Sequence, residues 1–151
     1  MSAVAENEKD PPAAHDDSRE VYRHDARPPC SSDYLAPIVL QACRAAGARR
    51  VLDLGSGNGT LCRALAEAGF AVVGLEPSAS GIEAARRAVP AGTFHCGSVY
   101  DGPEGIPEND FDVVVSTEVV EHLFRPAALP AFAFAKLKPG GRFVVSTPYH
   151  G

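Results

Sequence analysis

The sequence predicts an α/β fold: a doubly wound, mostly parallel sheet with helices on both faces. Short apolar runs alternate with amphipathic segments from about residue 31 to residue 147, and the first apolar run leads into a glycine-rich turn. This alternation is typical of parallel βαβ units, in which a helix connects each strand to the next. A chain of 151 residues is long enough for one such domain and too short for two.

The elements follow in order along the chain. An amphipathic helix begins at Ser31 or Ser32, either of which can cap it, and ends at Gly47. Strands are expected at residues 51–54, 71–75, 93–96, 111–116 and 142–147. Further helices are expected at residues 60–68, 80–88, 118–124 and 130–137. Residues 1–20 have few large apolar side chains and are predicted to form a disordered tail, which leaves residues 21–151 for the domain.

Composition excludes several classes of protein. With 14 Lys and Arg against 19 Asp and Glu, the net charge is −5, so a nucleic-acid partner is not expected and a small molecule is favoured. The apolar runs are far shorter than the ~20 residues of a membrane span, and the acidic N-terminus is unlike a signal peptide. Four scattered cysteines suggest neither a zinc ribbon nor a disulfide framework. A cytoplasmic location is therefore expected.

A glycine-rich turn follows the first strand and carries most of the functional signal. Gly55, Gly57 and Gly59 let a ligand approach bare backbone, and the N–H groups of the following helix favour a carboxylate or phosphate. A dinucleotide fingerprint would need its third glycine at Thr60, so the spacing argues against an NAD oxidoreductase. Asp53 is an unusual charge inside a strand, and it either orders the turn or faces the ligand.

Glu76 directly follows the second strand, about 20 residues after the turn. At this position an acidic side chain can accept hydrogen bonds from both hydroxyls of a ribose. The alternative is an ordinary surface glutamate before Pro77.

Together with residues 111–115, 118–122 and 137–141, these segments resemble successive motifs of class I S-adenosylmethionine-dependent methyltransferases. The resemblance covers roughly residues 45–148 and is closest to the branch that contains the ubiquinone-biosynthesis O-methyltransferases. It implies S-adenosylmethionine as cofactor and a Rossmann-like methyltransferase fold. It also implies that Glu76 holds the ribose and that the turn lines the methionine part, with these cofactor-binding residues: Asp53, Gly55, Ser56, Gly57 and Gly59.

The sequence departs from this family in two places. Many relatives bind the adenine amino group with an aspartate after the glycine of the loop that follows the third strand, where this chain has Ser98 and Val99. Ser98, the Val99 amide or nearby Asp101 could substitute. The family sheet has seven strands in the order 3-2-1-4-5-7-6, whereas this sequence ends just past the fifth. We therefore expect a domain that lacks the last two strands, and an exposed fifth strand through which the chain could self-associate.

The resemblance implies methyl transfer to a small-molecule acceptor at an oxygen, nitrogen or carbon atom. His122 or His150 could act as the base that deprotonates an acceptor hydroxyl. The alternatives are a non-catalytic module that binds S-adenosylmethionine, or a truncated fragment of a methyltransferase.

A divalent-metal site is a further hypothesis. If residues 118–124 are helical, Glu118, Glu121 and His122 share one face, and they resemble the metal-binding segment of ubiquinone-pathway and small-RNA methyltransferases. His150 could be a fourth ligand. The alternative is that these glutamates stabilise a helix N-terminus, where Glu118 could also contact the cofactor.

Overall fold

The structure, a computed structural model, describes residues 31–149 and has a five-stranded parallel sheet in the order β3-β2-β1-β4-β5. The strands are β1 (Arg50–Leu54), β2 (Ala71–Glu76), β3 (Thr93–Cys96), β4 (Phe111–Thr117) and β5 (Leu137–Ser146). The predicted fold class is confirmed. The strand order reverses between β1 and β4, so the loops that follow these strands diverge and open a crevice at the carboxyl edge of the sheet. The predicted tail, residues 1–20, lies outside the described residues.

Within residues 31–149, four α-helices cover the two faces of the sheet. They are α1 (Ser32–Ala45), α2 (Thr60–Glu67), α3 (Ala79–Ala88) and α4 (Ala128–Lys136). Helices α1, α2 and α3 pack in one core cluster and α4 in the other. No helix within residues 31–149 is both long enough and apolar enough to cross a membrane.

Side chains of each central strand alternate between the two clusters. In β1, Val51 belongs to the cluster under α1 to α3, whereas Leu52 and Leu54 belong to the cluster under α4. In β4, Val113 and Val114 divide in the same way. Strands that are buried on both faces read as continuous apolar runs, which is the pattern that made them visible in the sequence.

The predicted helix at residues 118–124 is wrong. Only one turn of 3₁₀-helix forms there, at Val120–His122. Glu118 has a φ of 57°, in the left-handed region, and its N–H donates to the carbonyl of Ser146 at 3.0 Å. Because a positive φ is incompatible with a right-handed helix, Glu118 extends the pairing with the neighbouring strand and does not start a helix.

The outer strand β5 is longer than predicted. It begins at Leu137 rather than at Arg142. Phe111 pairs with Leu137 and Val113 with Arg142, so the residues between Leu137 and Arg142 form an irregular stretch. Lys138 in this stretch forms an ion pair with Asp112. In the described part of the chain β5 pairs with β4 alone, and self-association through its other edge stays a prediction.

Asp112 stabilises the amino edge of the sheet. Its Oδ2 accepts hydrogen bonds from the N–H groups of Arg49 and Arg50 at 2.8 Å each, in addition to the Lys138 ion pair. These donors lower the pKa of Asp112 to about 2. The carboxylate therefore stays ionised and joins β1, β4 and β5 where their chains enter the sheet.

Lys136 anchors the loop between β3 and β4. Its buried ammonium at the end of α4 donates to the carbonyl of Ile106, to the carbonyl of Glu108 at 3.1 Å and to Oδ1 of Asn109 at 3.0 Å. Burial lowers the pKa of Lys136. A buried cation with three acceptors tolerates its desolvation, and it fixes the far end of this loop to the helix.

We expect Gly59→Ala to destabilise the fold by about 2–4 kcal/mol, because two penalties combine. Gly59 has a φ of +82°, and an added Cβ would lie 2.8 Å from the Cα of Ala85 in α3. Gly47→Ala is the matched control: its φ is +61° with nothing within 4 Å, so it should cost only about 1 kcal/mol. Urea unfolding of both variants gives the comparison, and equal losses would contradict the packing role of Gly59.

Candidate functional site

The glycine turn between β1 and α2 is held against two neighbouring segments. The N–H groups of Gly55 and Ser56 both donate to the carbonyl of Leu75 in β2, at 2.8 and 3.0 Å. A Cβ on Gly55 would lie 2.4 Å from the Val119 side chain, and the φ of Gly55 is +83°. Only glycine therefore fits where the loops after β1 and β4 touch.

Glu76 is buried, 5% exposed, so the alternative of a surface glutamate is wrong. Its Oε2 accepts from the N–H of Gly57 and its Oε1 from the N–H of Ser78, both at 3.0 Å. The carboxylate thus joins the glycine turn to the loop that begins α3. Each oxygen has two lone pairs, so the group can accept further hydrogen bonds from a ligand.

Asp53 lies beneath the turn with few partners. Its Oδ2 accepts from the Cys62 thiol at 3.3 Å, and among the described residues its buried Oδ1 has no hydrogen-bond partner. Burial raises the pKa of Asp53 to about 7; the Cys62 hydrogen bond lowers it and the nearby Glu76 charge raises it. Burial and the Asp53 charge also raise the pKa of the Cys62 thiol well above its usual value. The turn therefore rests on a carboxyl group that is only partly ionised at neutral pH.

Sequence reasoning missed the contact of Cys62 with Asp53, because it considered the cysteines only as candidates for zinc or disulfide sites. It is wholly buried in the first turn of α2. A cysteine nine residues after an intra-strand aspartate, at the start of the crossover helix, was the available signal. Ser56 belongs to the same region, since its buried Oγ also has no partner within residues 31–149.

The loop after β3 folds back on itself through Asp101. Its Oδ2 accepts from the N–H of Ser98 at 2.8 Å, and the Ser98 Oγ accepts from the N–H of Tyr100 at 3.2 Å. The Asp101 carboxylate lies 3.4 Å from the position that a Cβ on Gly97 would occupy. An acidic group therefore lies at the end of β3 although the sequence has Ser98 directly after the glycine.

Tyr100 also connects this loop to the one after β4. Its hydroxyl accepts from the N–H of Arg125 at 3.2 Å, and the Arg125 guanidinium lies 5.0 Å from the centre of the Tyr100 ring. This contact between the two loops was not foreseen from the sequence.

The structure does not arrange Glu118, Glu121 and His122 as a metal site. They share no helix face, Glu118 accepts from the Tyr34 hydroxyl at 3.4 Å, and Glu121 lies 3.9 Å from the exposed His122 ring. Within residues 31–149, no three His, Cys, Asp or Glu side chains form a group that could hold a metal ion. The helical premise of the metal hypothesis is therefore wrong. His150 lies outside the described residues.

Comparison with known proteins identifies relatives of this chain. Residues 22–150 match a family model described as a methyltransferase domain. The ubiquinone biosynthesis O-methyltransferase of Bradyrhizobium sp. (strain ORS 278) is 41% identical over 102 residues, which is 65% of this chain and 39% of that protein. The enzyme of that name from Paramagnetospirillum magneticum is 40% identical over 98 residues, 64% and 39% of the two chains. The chain thus spans about two fifths of the length of these relatives.

Solved structures agree with the fold. CalS10, an amino pentose methyltransferase from Micromonospora echinaspora solved with S-adenosylmethionine bound, is 29% identical with a TM-score of 0.69. The match covers 76% of this chain and 50% of that one. DesVI of Streptomyces venezuelae is 27% identical with a TM-score of 0.62, and the match covers the same shares.

We expect Asp53→Asn to change how stability depends on pH. The pKa of Asp53 is raised in the folded chain, so its stabilising contribution is complete below the unfolded pKa of about 4 and is lost as pH rises through about 7. Between pH 4 and pH 8, the wild-type free energy of unfolding should fall by about 2–4 kcal/mol more than that of Asp53→Asn. Urea unfolding across this range measures the difference, and parallel curves would contradict it.

Proposed function

Since the chain belongs to the methyltransferase-domain family, we propose that it binds S-adenosylmethionine at the glycine turn and serves methyl transfer to a small-molecule acceptor, at an oxygen in the first instance. One observation carries the proposal. The buried Glu76 carboxylate holds Gly57 and Ser78 beside the crevice where the strand order reverses. Ligands of open α/β sheets bind at such a crevice.

The residues at this edge fit the chemistry of that cofactor. Glu76 retains acceptor capacity for the two hydroxyls of a ribose. The Asp53 Oδ1 and Ser56 Oγ atoms are buried without partners in the described part of the chain, and such atoms mark a place where polar contacts remain to be made. When bound, S-adenosylmethionine supplies a methyl group on a cationic sulfur, and the carboxyl groups of Asp53 and Glu76 suit a cation.

Individual roles follow from position. Glu76 holds the ribose, and the turn from Gly55 to Gly59 accommodates the methionine part. Ser98, Val99 and Asp101 are the candidates for the adenine, with the Asp101 carboxylate placed best for an amino group. Glu118 is a further candidate cofactor contact.

Among the described residues, His122 is the base that we propose for the acceptor. His122 follows β4 at the carboxyl edge and is exposed, so it can take a proton from an acceptor hydroxyl while the cofactor is held. The name of the curated relatives supports an oxygen acceptor, since they are ubiquinone biosynthesis O-methyltransferases. We include no metal at Glu118, Glu121 and His122, because these side chains do not converge.

We expect the chain to bind S-adenosylmethionine or S-adenosylhomocysteine, and Glu76→Ala to weaken this binding by about 1.5–3 kcal/mol, the usual contribution of hydrogen bonds to a charged group. Isothermal calorimetry measures both. Glu76→Gln keeps the side-chain shape and one acceptor oxygen, so its affinity should lie between those of wild type and Glu76→Ala. Glu83→Ala, an exposed site on α3 paired with Arg87, is the matched control and should not change the affinity.

Equal affinity in wild type and Glu76→Ala would remove Glu76 from the ribose. Absence of binding by wild type would overturn the cofactor proposal. Binding without methyl transfer to phenols or amines would favour the non-catalytic module.

We expect Asp101→Asn to lower the affinity for S-adenosylhomocysteine about tenfold, since it removes a charged acceptor from the adenine amino group. The analogue with inosine in place of adenosine has a carbonyl there instead, so its binding should not weaken. Glu83→Ala, at an exposed site on α3, is the control. Equal losses for both ligands would show that Asp101 acts only by ordering its loop.

A further inference from the structure

Asp53 and Asp112 lie on neighbouring central strands at opposite edges of the sheet and have opposite environments. Asp112 has three donors and a pKa of about 2. Asp53 is 1% exposed, and the donor to its carboxylate is the Cys62 thiol. Thiols are weak donors. The Asp112 carboxylate at the amino edge thus has several strong hydrogen-bond donors, whereas the Asp53 carboxylate beneath the glycine turn has little to stabilise its charge.

Among the groups that the structure describes, those that act on Asp53 include no compensating positive charge. The titratable groups that act on it are Cys62 of α2 and the carboxyl group of Glu76 in β2. Its partners on the adjacent strands, Gly74 and Val115, carry no charge. Within residues 31–149, its Oδ1 is buried without a hydrogen bond. The described part of the chain therefore provides no cation that would stabilise the ionised form of Asp53.

We propose that Cys62 is a positioning residue for the ligand site. Its thiol holds and partly stabilises the Asp53 carboxylate under the glycine turn. Binding of a cationic ligand in the turn is therefore coupled to loss of a proton from Asp53. The inference rests on the proposed function, since the ligand is S-adenosylmethionine. The step is balanced. The carboxylic acid releases one proton to solvent, its electron pair stays on the oxygen, and the sulfonium charge compensates the carboxylate.

The coupling distinguishes the cofactor from its product. S-adenosylhomocysteine has a neutral sulfur, so it stabilises the ionised form of Asp53 less. Binding of the methyl donor should therefore strengthen as pH rises from 6 to 8, and binding of the demethylated product should change less. A site with this property releases the spent cofactor more readily at the pH where it retains the fresh one.

Calorimetry at pH 7 in phosphate and in Tris, whose ionisation enthalpies differ, counts the protons released on binding. Wild type should release a fraction of a proton per S-adenosylmethionine, since the raised pKa leaves Asp53 partly protonated at this pH. S-adenosylhomocysteine should release fewer, and Asp53→Asn should release none through this group. The same proton count in wild type and Asp53→Asn would overturn the proposal.

Variants at Cys62 separate positioning from packing. Cys62→Ala removes the donor, so its affinity for S-adenosylmethionine should fall several-fold at pH 7 and recover by pH 8.5. Cys62→Ser restores a donor and should keep the wild-type pH profile. A loss in Cys62→Ala that is the same at both pH values would show that Cys62 only fills space.

If no cofactor binds, the proposed function has failed, but the link between Cys62 and Asp53 can still be tested. The test is a stability measurement without ligand. Stability falls from the unfolded pKa of Asp53 and stops falling at its folded pKa. The pH at which the stability difference from the matching Asp53→Asn variant levels off should therefore move upward in Cys62→Ala and stay in place in Cys62→Ser. No movement in Cys62→Ala would overturn the positioning role.

Discussion

The geometry of the site depends on the two hydrogen bonds that the Glu76 carboxylate accepts. It accepts from Gly57 on one side and Ser78 on the other, so it sets the position of the glycine turn relative to the start of α3. The backbone N–H groups of a turn and a helix entry would otherwise be unsatisfied inside the fold, at a cost of roughly 1–3 kcal/mol each. One buried side chain satisfies both and remains able to accept more. The same two oxygens can thus serve both the structure and ligand recognition.

The two edges of the sheet divide stability from function. At the amino edge, Asp112 joins three strands with backbone and ammonium donors. At the carboxyl edge, Asp53 and Ser56 have buried oxygens that are unsatisfied among residues 31–149. Such a division is expected where a fold must be rigid and a site must respond to a ligand.

Much of the fold was predictable from the sequence because its signals are local. Strands buried on both faces appear as apolar runs, and their alternation with helices fixes a parallel topology. Gly55, Gly59 and Glu76 could be predicted as candidate site residues because strand ends and turn spacing locate them. The helix expected to begin at Glu118 did not form there because that residue has a positive φ and bonds to Ser146, 28 positions later, and no local pattern reports such a bond. The Cys62 to Asp53 contact was missed for a related reason, since it depends on how α2 packs onto β1.

The anchor at Lys136 has a consequence for the loop that carries Ser98 and Asp101. A surface loop of this length ordinarily samples many conformations, and a ligand that binds it must restrict them. Here the buried ammonium fixes the far end of the loop to α4, and Asp101 closes the near end. The conformational entropy is therefore lost when the chain folds rather than when a ligand arrives. Recognition at the end of β3 begins from a preorganised surface, which favours affinity without requiring additional contacts.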